Sequence, residues 1–359
     1  MVAIPMEKIR ERMGGQRVML VGGAGFIGHN LALGLRKLGV ETMVVDNLVV
    51  NNLIDNEYAK DRAPLFRTLY LDFLLDRFSL MRDAGVLLRN VDARNYIDLA
   101  NVFLEFAPTK IVHLAAIASA VDARHNPGLA FDLQLTTLRN VLELVRQPRS
   151  AVNEVMFLSS STVYGDFETE TVDESVRPRP RGIYANAKYM GERLVRTYAD
   201  QYGVGTTIIR PSALYGERCI SGRVSQKFIE NALTGKPLLL EGGGEGRLDF
   251  TYIEDLVEGM LRAQAMHEGP GKTNTYNITF GNARTITELA KVLQGVIPEA
   301  KVEDRPRAAD KPIRGTLSTT RAEQVLGFKA QWQLEKGYKR YCEWYVAQWR
   351  RAQRNTKGH

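Results

Sequence analysis

"RVMLVGGAGFIGHNLALGLRKLG", residues 17 to 39, sets a short apolar run, Arg17 to Val21, against a glycine cluster and then leucines at helical spacing. Strand, tight turn and helix follow in that order. The glycines fall at 23, 25 and 28, with 22, 25 and 28 as a second way to read the pattern. Glycines so placed permit a tight turn, let the backbone approach a pyrophosphate and seat the helix on the strand, while the first helical amides attract an anion. The pattern is weak alone, because an ordinary tight turn with a capping Asp would use the same residues. Its context strengthens it: "ETMVVD", residues 41 to 46, is a second buried strand and ends in Asp46, 18 residues after Gly28. A carboxylate there accepts from both ribose hydroxyls and repels a 2′-phosphate, so the expected cofactor is NAD rather than NADP.

Outward from this stretch the alternation continues. "KIVHLAA" from Lys110, "EVMFLSSS" from Glu154 and "GTTIIRPSALYG" from Gly205 read as strands, with helical patterns over 96 to 106, 128 to 146 and 185 to 202. Apolar strands separated by amphipathic helices call for α/β architecture, a Rossmann-type doubly wound parallel sheet covered on both faces. After about Gly216 the rhythm changes. "VSQKFIENALTG" is a helix, "PLLLEGGGEGRLDFTYIEDLVEGMLRAQAM" offers a strand, a glycine-rich loop and a helix, "TNTYNITFG" a strand, and "TITELAKVLQGVI" and "TTRAEQVLGF" two more helices. The expected organisation is an N-terminal extension over 1 to 15, a dinucleotide-binding domain over 16 to 210, a smaller C-terminal α/β substrate-binding lobe mainly over 211 to 345, and a basic tail over 346 to 359. An insertion around 53 to 90 interrupts the first domain. "LYLDFLLDRFSLM" inside it looks helical, either extra packing or a mobile flap.

The chain has 359 residues, 44% of them hydrophobic, enough for a large core. No run approaches the roughly 20 apolar residues that span a bilayer, so no membrane role is expected. The opening segment is charged where an export signal needs an apolar run, and Cys219 and Cys342 form neither a disulfide framework nor a metal pair. A cytoplasmic protein fits. Basic residues give a net charge of +7 but are interleaved with acids outside the tail "WRRAQRNTKGH", which reads as a solvated, frayed end. That excludes a nucleic-acid stripe and suits small anionic ligands. No His, Asp or Glu cluster has metal-ligand spacing.

"GIYANAKYMGERL", residues 182 to 194, places Tyr184 one helical turn before Lys188, on the same face. Chance can do this. A neighbouring ammonium also favours the phenolate form of a tyrosine, which would make a general base. With this pair the ordered set "GGAGFIG", "VVDN", "VDAR", "HLAA", "FLSSSTVYG", "YANAK", "RPSALYG" and "RLDFTYIEDL" resembles the extended short-chain dehydrogenase/reductases, and among them the nucleotide-sugar epimerases and dehydratases. The resemblance spans roughly residues 16 to 345. It implies that Tyr184 takes a proton from a sugar hydroxyl, that Lys188 supports the phenolate and binds the nicotinamide ribose, and that Ser160 hydrogen-bonds the reacting oxygen. It also implies a cofactor surface made of Gly22, Gly25, Phe26, Ile27, Gly28, Asp46, Asn47, Asp92, Ala93, Leu114, Ala115 and Ala116, with Tyr184 and Lys188. His113 is expected to pack beside the cofactor, and Ser159 to bond to backbone.

Departures from the family pattern bear on the reaction. Family dehydratases follow the catalytic Ser/Thr with an Asp-Glu pair; here those positions hold Ser161 and Thr162, assigned to the substrate, and neither is a base near neutral pH. The favoured activity is therefore a C4 epimerisation through a transient 4-keto sugar with tightly bound NAD. A nucleotide-sugar 4-dehydrogenase or 4-ketoreductase is the alternative, ahead of a 4,6-dehydratase or a non-catalytic NAD-binding scaffold. The asparagines of the family's "RYFNVYGP" and "NVxGT" fall on Ala213 and Gln134. Its diphosphate-binding arginine appears one place early as Arg247, with Leu248 at the expected position, a shift that flips a strand residue unless a bulge intervenes. Arg307 of "RAAD" resembles the second diphosphate arginine, with Arg314 as its backup, and Ser119 and Gln226 complete the substrate contacts. The implied partner is a nucleotide-diphosphate sugar. In the family, helices near 125 to 147 and 184 to 203 commonly pair in a homodimer, which this sequence permits.

Overall fold

A computed structural model describes residues 4–49, 52–57, 63–117, 120–308 and 312–357. Its centre is a seven-stranded sheet of β1 (Arg17–Val21), β2 (Glu41–Asp46), β3 (Leu87–Asn90), β4 (Lys110–His113), β5 (Glu154–Leu158), β6 (Thr206–Arg210) and β7 (Thr273–Asn277), in the order β7-β6-β5-β4-β1-β2-β3. Every pairing is parallel. Strand order reverses between β1 and β4, and in such a sheet the crevice beyond the carboxyl ends at that switch point receives the ligand.

The strands are apolar because both faces are buried. Alternate residues of β1 serve different cores: Val18 and Leu20 join one cluster, Met19 and Val21 the other. Helix α1 (Phe26–Lys37) lies on the first face, and α2 (Pro64–Asp83), the insertion, packs beside it. On the second face lie α3 (Tyr96–Phe106), α4 (Thr137–Val145) and α5 (Gly182–Tyr202). The pattern over 128 to 146 resolves into Pro127–Phe131, a widened π turn at Asp132–Thr136, and α4.

The second lobe is built from α6 (Val224–Leu233), α8 (Ile286–Gln294), α9 (Leu334–Lys357) and short strand pairs such as Leu238–Glu241 with Val302–Arg305. Between α6 and α8 the chain returns to the first layer. There α7 (Ile253–Met266) packs on α1, and "TNTYN" is not a strand of the smaller lobe but β7 of the main sheet. The opening segment is also part of the body, since helix Met6–Met13 buries Ile9 and Met13 completely.

The insertion is packing rather than a flap over its described residues. Helix α2 buries Leu69, Tyr70, Phe73, Leu74, Arg77 and Met81, and Phe73 meets Trp344 and Tyr345 of α9 with ring centroids 4.8 and 5.5 Å apart. The basic tail, expected to be frayed, is instead the continuation of α9 to Lys357. Trp349 explains why, because it covers Phe66 of the insertion at 5.0 Å and Ala352 is fully buried. Two unusual segments stabilise each other: full burial of one such aromatic side chain contributes about 1.5–3 kcal/mol.

Candidate active site

Two cavities lie above the carboxyl ends of the strands and a third adjoins them, the three sharing lining residues so that they form one trough. Leu158, Ser221 and Arg223 border both the first and second, and Gly222, Leu248 and Arg314 both the second and third.

The first cavity has a volume of about 160 Å³. Every residue expected to face the dinucleotide from the first lobe, from Gly22 to Ala116, borders it. Gly22 has φ +78°, and a Cβ there would lie 2.5 Å from the backbone of Ala115; at Gly28 it would lie 2.3 Å from the Gly23 carbonyl oxygen. Any side chain would fill the cradle or push α1 off the strand. Gly25 caps α1 and brings no side-chain acceptor to the first amides, so these remain for a ligand. Asp46 is aimed by two backbone donors, Ala24 N–H at 2.9 Å and Leu48 N–H at 2.8 Å. Burial raises its pKa, and those two amides oppose the rise. Asp92 behaves differently, because hydrogen bonds from Arg94 hold it down to about 2, with Asn47 Nδ2 also donating at 3.1 Å. Cradle, donors and the Asp46 carboxylate therefore fit a dinucleotide.

The second cavity gathers Ser160, Ser161, Thr162, Tyr184, Lys188, Ala213 and Arg314. Tyr184 and Lys188 sit in the first two turns of α5, and Ser160 follows the end of β5. Lys188 Nζ donates to the Leu158 carbonyl at 2.7 Å and lies over the Phe157 ring. Burial pushes its pKa down to about 7; Glu192, one turn on, works against that and the Arg223 charge adds to it. Ser160 Oγ accepts the Thr162 N–H at 3.2 Å. A hydroxyl that accepts there keeps its own proton for another acceptor. Beneath the site Glu192 accepts from Arg210 at 2.6 and 2.8 Å and from Ser159 Oγ at 2.5 Å. Ser159 thus faces a buried side-chain network instead of backbone. His113 bonds Thr137 Oγ1 at 2.8 Å, behind the cavity wall, and burial drives its pKa to about 3.

Arg247, Arg307 and Arg314 border the third cavity. The strand carrying Arg247 is two residues long, paired with Arg284–Thr285, and Arg247 and Leu248 both reach this cavity despite the one-residue shift. Arg247 Nη2 donates to the Ala283 carbonyl at 2.7 Å. Arg314 is the more enclosed: it donates to the Ser161 carbonyl at 2.9 Å, and burial lowers it to about 10. Gln226 is not brought to the trough. It points into the interior, accepting from Ser221 and Gly222 N–H and donating to Tyr70 and Glu230. Ser119 lies outside the described residues.

Arg77, Cys219, Ser221 and Arg223 also border the cofactor cavity and were missed. For Arg77 a signal existed, because it falls on the helical stripe that buries Leu69, Tyr70, Phe73 and Leu74. For the others, in an irregular loop, no period marks the inward side.

A glycine-cradled dinucleotide cleft opening onto Ser160, Tyr184 and Lys188 defines an enzyme of the extended short-chain dehydrogenase/reductase class. The chain belongs to the NAD dependent epimerase/dehydratase family, whose model matches residues 18–279. UDP-glucuronate 4-epimerase 1 of Arabidopsis thaliana is 28% identical over 359 residues, covering 94% of this chain and 78% of the relative. UDP-glucuronic acid decarboxylase 4 of the same plant is 33% identical over 237 residues, 64% of this chain and 52% of that one. The structure of UDP-glucose 4-epimerase from Thermus thermophilus in complex with NAD aligns with a TM-score of 0.76 at 26% identity, over 92% of this chain and 99% of that one.

Proposed function

We propose that this protein is an NAD-dependent nucleotide-diphospho-sugar 4-epimerase acting on a UDP-linked hexose or hexuronate. One observation carries the reading: Ser160, Tyr184 and Lys188 border the central cavity, and no Asp or Glu among the described residues does. NAD, when bound next to it, supplies the oxidation and re-reduction of C4. The Tyr184 phenolate accepts the C4 hydroxyl proton as the carbonyl forms and returns it as the alcohol is restored. Ser160, its oxygen already engaged by Thr162 N–H, donates its proton to the reacting oxygen. Lys188 sets a cation one turn along α5 that favours the phenolate. Elimination of water would need a second base, and the hydroxyls of Ser161 and Thr162 do not ionise near neutral pH.

Arg247, Arg307 and Arg314 are the proposed diphosphate ligands, since a guanidinium binds phosphate oxygens in pairs. Arg223 and Arg314, on the border of that carboxylate-poor central cavity, also suit an acidic sugar, such as the glucuronate in the plant epimerase's name. We assign the dinucleotide to the layer holding β1 to β7 and the sugar nucleotide to the lobe built by α6, α8 and α9. A homodimer through α4 and α5, where Met190 and Tyr202 remain exposed, and a cytoplasmic setting, in keeping with two buried free cysteines, complete the proposal.

Incubation with UDP-glucose, UDP-glucuronate and UDP-N-acetylglucosamine in heavy water, followed by NMR, tests it. C4 inversion without deuterium at C3 or C5 is expected. Deuterium at C5 would sink the epimerase reading, and a released keto product with matching NADH absorbance would favour the dehydrogenase.

A further inference from the structure

Among the described residues, the insertion reaches the cofactor cavity through one side chain. Arg77, on the inward stripe of α2, is 1% exposed and borders the same space as Gly25, Phe26 and Asp46. Its Nε and Nη2 both donate to the Arg218 carbonyl, at 3.2 and 2.5 Å, so a contact across 141 residues of sequence fixes the guanidinium. Arg218 in turn lies against His29, its Nε 3.3 Å from Nε2, and His29 Nδ1 is 3.0 Å from the Gly25 carbonyl. Two arginines, one from the insertion and one from the second lobe, therefore converge beside the opening turn of α1. His29 registers their field: burial first, then the Arg77 charge, hold it well below its ordinary value. Asp46 is a carboxylate that also feels the Arg77 charge, and each of its oxygens accepts a backbone N–H.

A buried guanidinium attracts an anion strongly, because little solvent screens its charge. A planar fork at the end of a pyrophosphate-binding turn has the shape and charge for a phosphate. We propose that Arg77 binds the diphosphate of the dinucleotide, so that the insertion helix as well as the glycine turn holds the cofactor. This rests on the cofactor reading above. It makes α2 a strut between cofactor and second lobe, because the same guanidinium holds the Arg218 carbonyl.

The test uses the full chain stripped of any carried dinucleotide, with NAD, NADP, ADP and adenosine titrated calorimetrically into wild type, Arg77→Gln and Arg77→Lys. The Gln variant keeps a donor for the Arg218 carbonyl and loses the charge. It should bind NAD and ADP about 10- to 100-fold more weakly, the range for a lost charge-assisted contact, and adenosine within about twofold of wild type. Unchanged NAD and ADP affinity would overturn the proposal, as would an equal loss for adenosine, which marks a structural role. A loss confined to NADP would move the contact to a 2′-phosphate and overturn it too. Should the Gln variant not fold, Arg77→Lys decides: without the fork ADP should weaken severalfold with adenosine unchanged, and unaltered ADP binding refutes the contact. A wild type that binds neither NAD nor ADP would break the functional reading instead.

Discussion

The two ends of the trough are made of different material. At the cofactor end the shape comes from backbone: glycines without Cβ atoms, strand ends, and the first turn of α1, whose Gly25 cap brings no side-chain acceptor. At the end proposed for the sugar nucleotide it comes from long side chains on two-residue strands and loops, with Arg247 on one and Arg314 on another. A backbone-built surface tolerates little substitution but is written locally. A surface of long side chains is written across distant segments and adapts to its ligand. Between the two lies the proposed chemistry, assigned to Ser160, Tyr184 and Lys188 on the central cavity.

The largest expected effect removes that middle. Tyr184→Phe should lower turnover by about 10²- to 10⁴-fold, the usual contribution of general acid–base catalysis, while NAD affinity stays near wild type. Steady-state rates on UDP-sugars with parallel NAD titration measure it; undiminished turnover would remove the phenol from the mechanism. Next comes the backbone-built end. Gly22→Val places a β-branched residue at φ +78° with its Cβ within 2.5 Å of Ala115, a conformation β-branched side chains avoid. NAD binding should fall below detection by calorimetry while the sugar nucleotide still binds. If NAD still binds with wild-type affinity, the backbone account of that end is wrong.

At the opposite end the effect should be smaller and fall on KM. Arg314→Ala removes one half-buried guanidinium among three arginines, and a lost charge-assisted contact corresponds to about 10- to 100-fold. KM for the sugar nucleotide should rise in that range with NAD affinity unchanged. Arg247→Ala, at an exposed residue that already donates to the Ala283 carbonyl, should give less. The reverse ranking would place the diphosphate further out on the rim.

The same contrast governs how much could be read from residue order. Glycine spacing, Asp46 at a strand end and the Tyr184 to Lys188 interval are local, so the alternation of strand and helix was enough to place them around the switch point. Gln226 was not readable, because helix α6 offers it two directions and only the third-dimensional arrival of Tyr70 and Glu230 selects the inner one. Nor was β7: its pattern resembles any short strand, and its place beside β6 depends on a crossover through the second lobe. The tail misled for a physical reason, since its charges suggest a solvated end whereas Trp349 and the insertion's Phe66 make it a packed helix. Arg77 stood in plain view on an apolar stripe. A charge at such a position points to a task, and the cavity beside it supplies one.

The smallest expected effect concerns Lys188 before ligands arrive. Its pKa in the folded chain is about 7, against about 10.4 for a free lysine. Between those values the unfolded chain binds more protons than the folded one, so the lysine's contribution to stability is complete above about pH 10.4 and is lost as pH falls through 7. Lys188→Met removes the titration together with the bond to the Leu158 carbonyl. The variant's melting temperature relative to wild type should therefore be most favourable near pH 6 and decline by a few degrees towards pH 9, the scale of about a kcal/mol or more in a domain of this size. Scanning calorimetry of the cofactor-free proteins across that range measures it. A constant difference would mean that the ammonium is solvated in the open trough, and the phenolate would then have to draw its support from another cation, with Arg314 the one whose charge Tyr184 already feels.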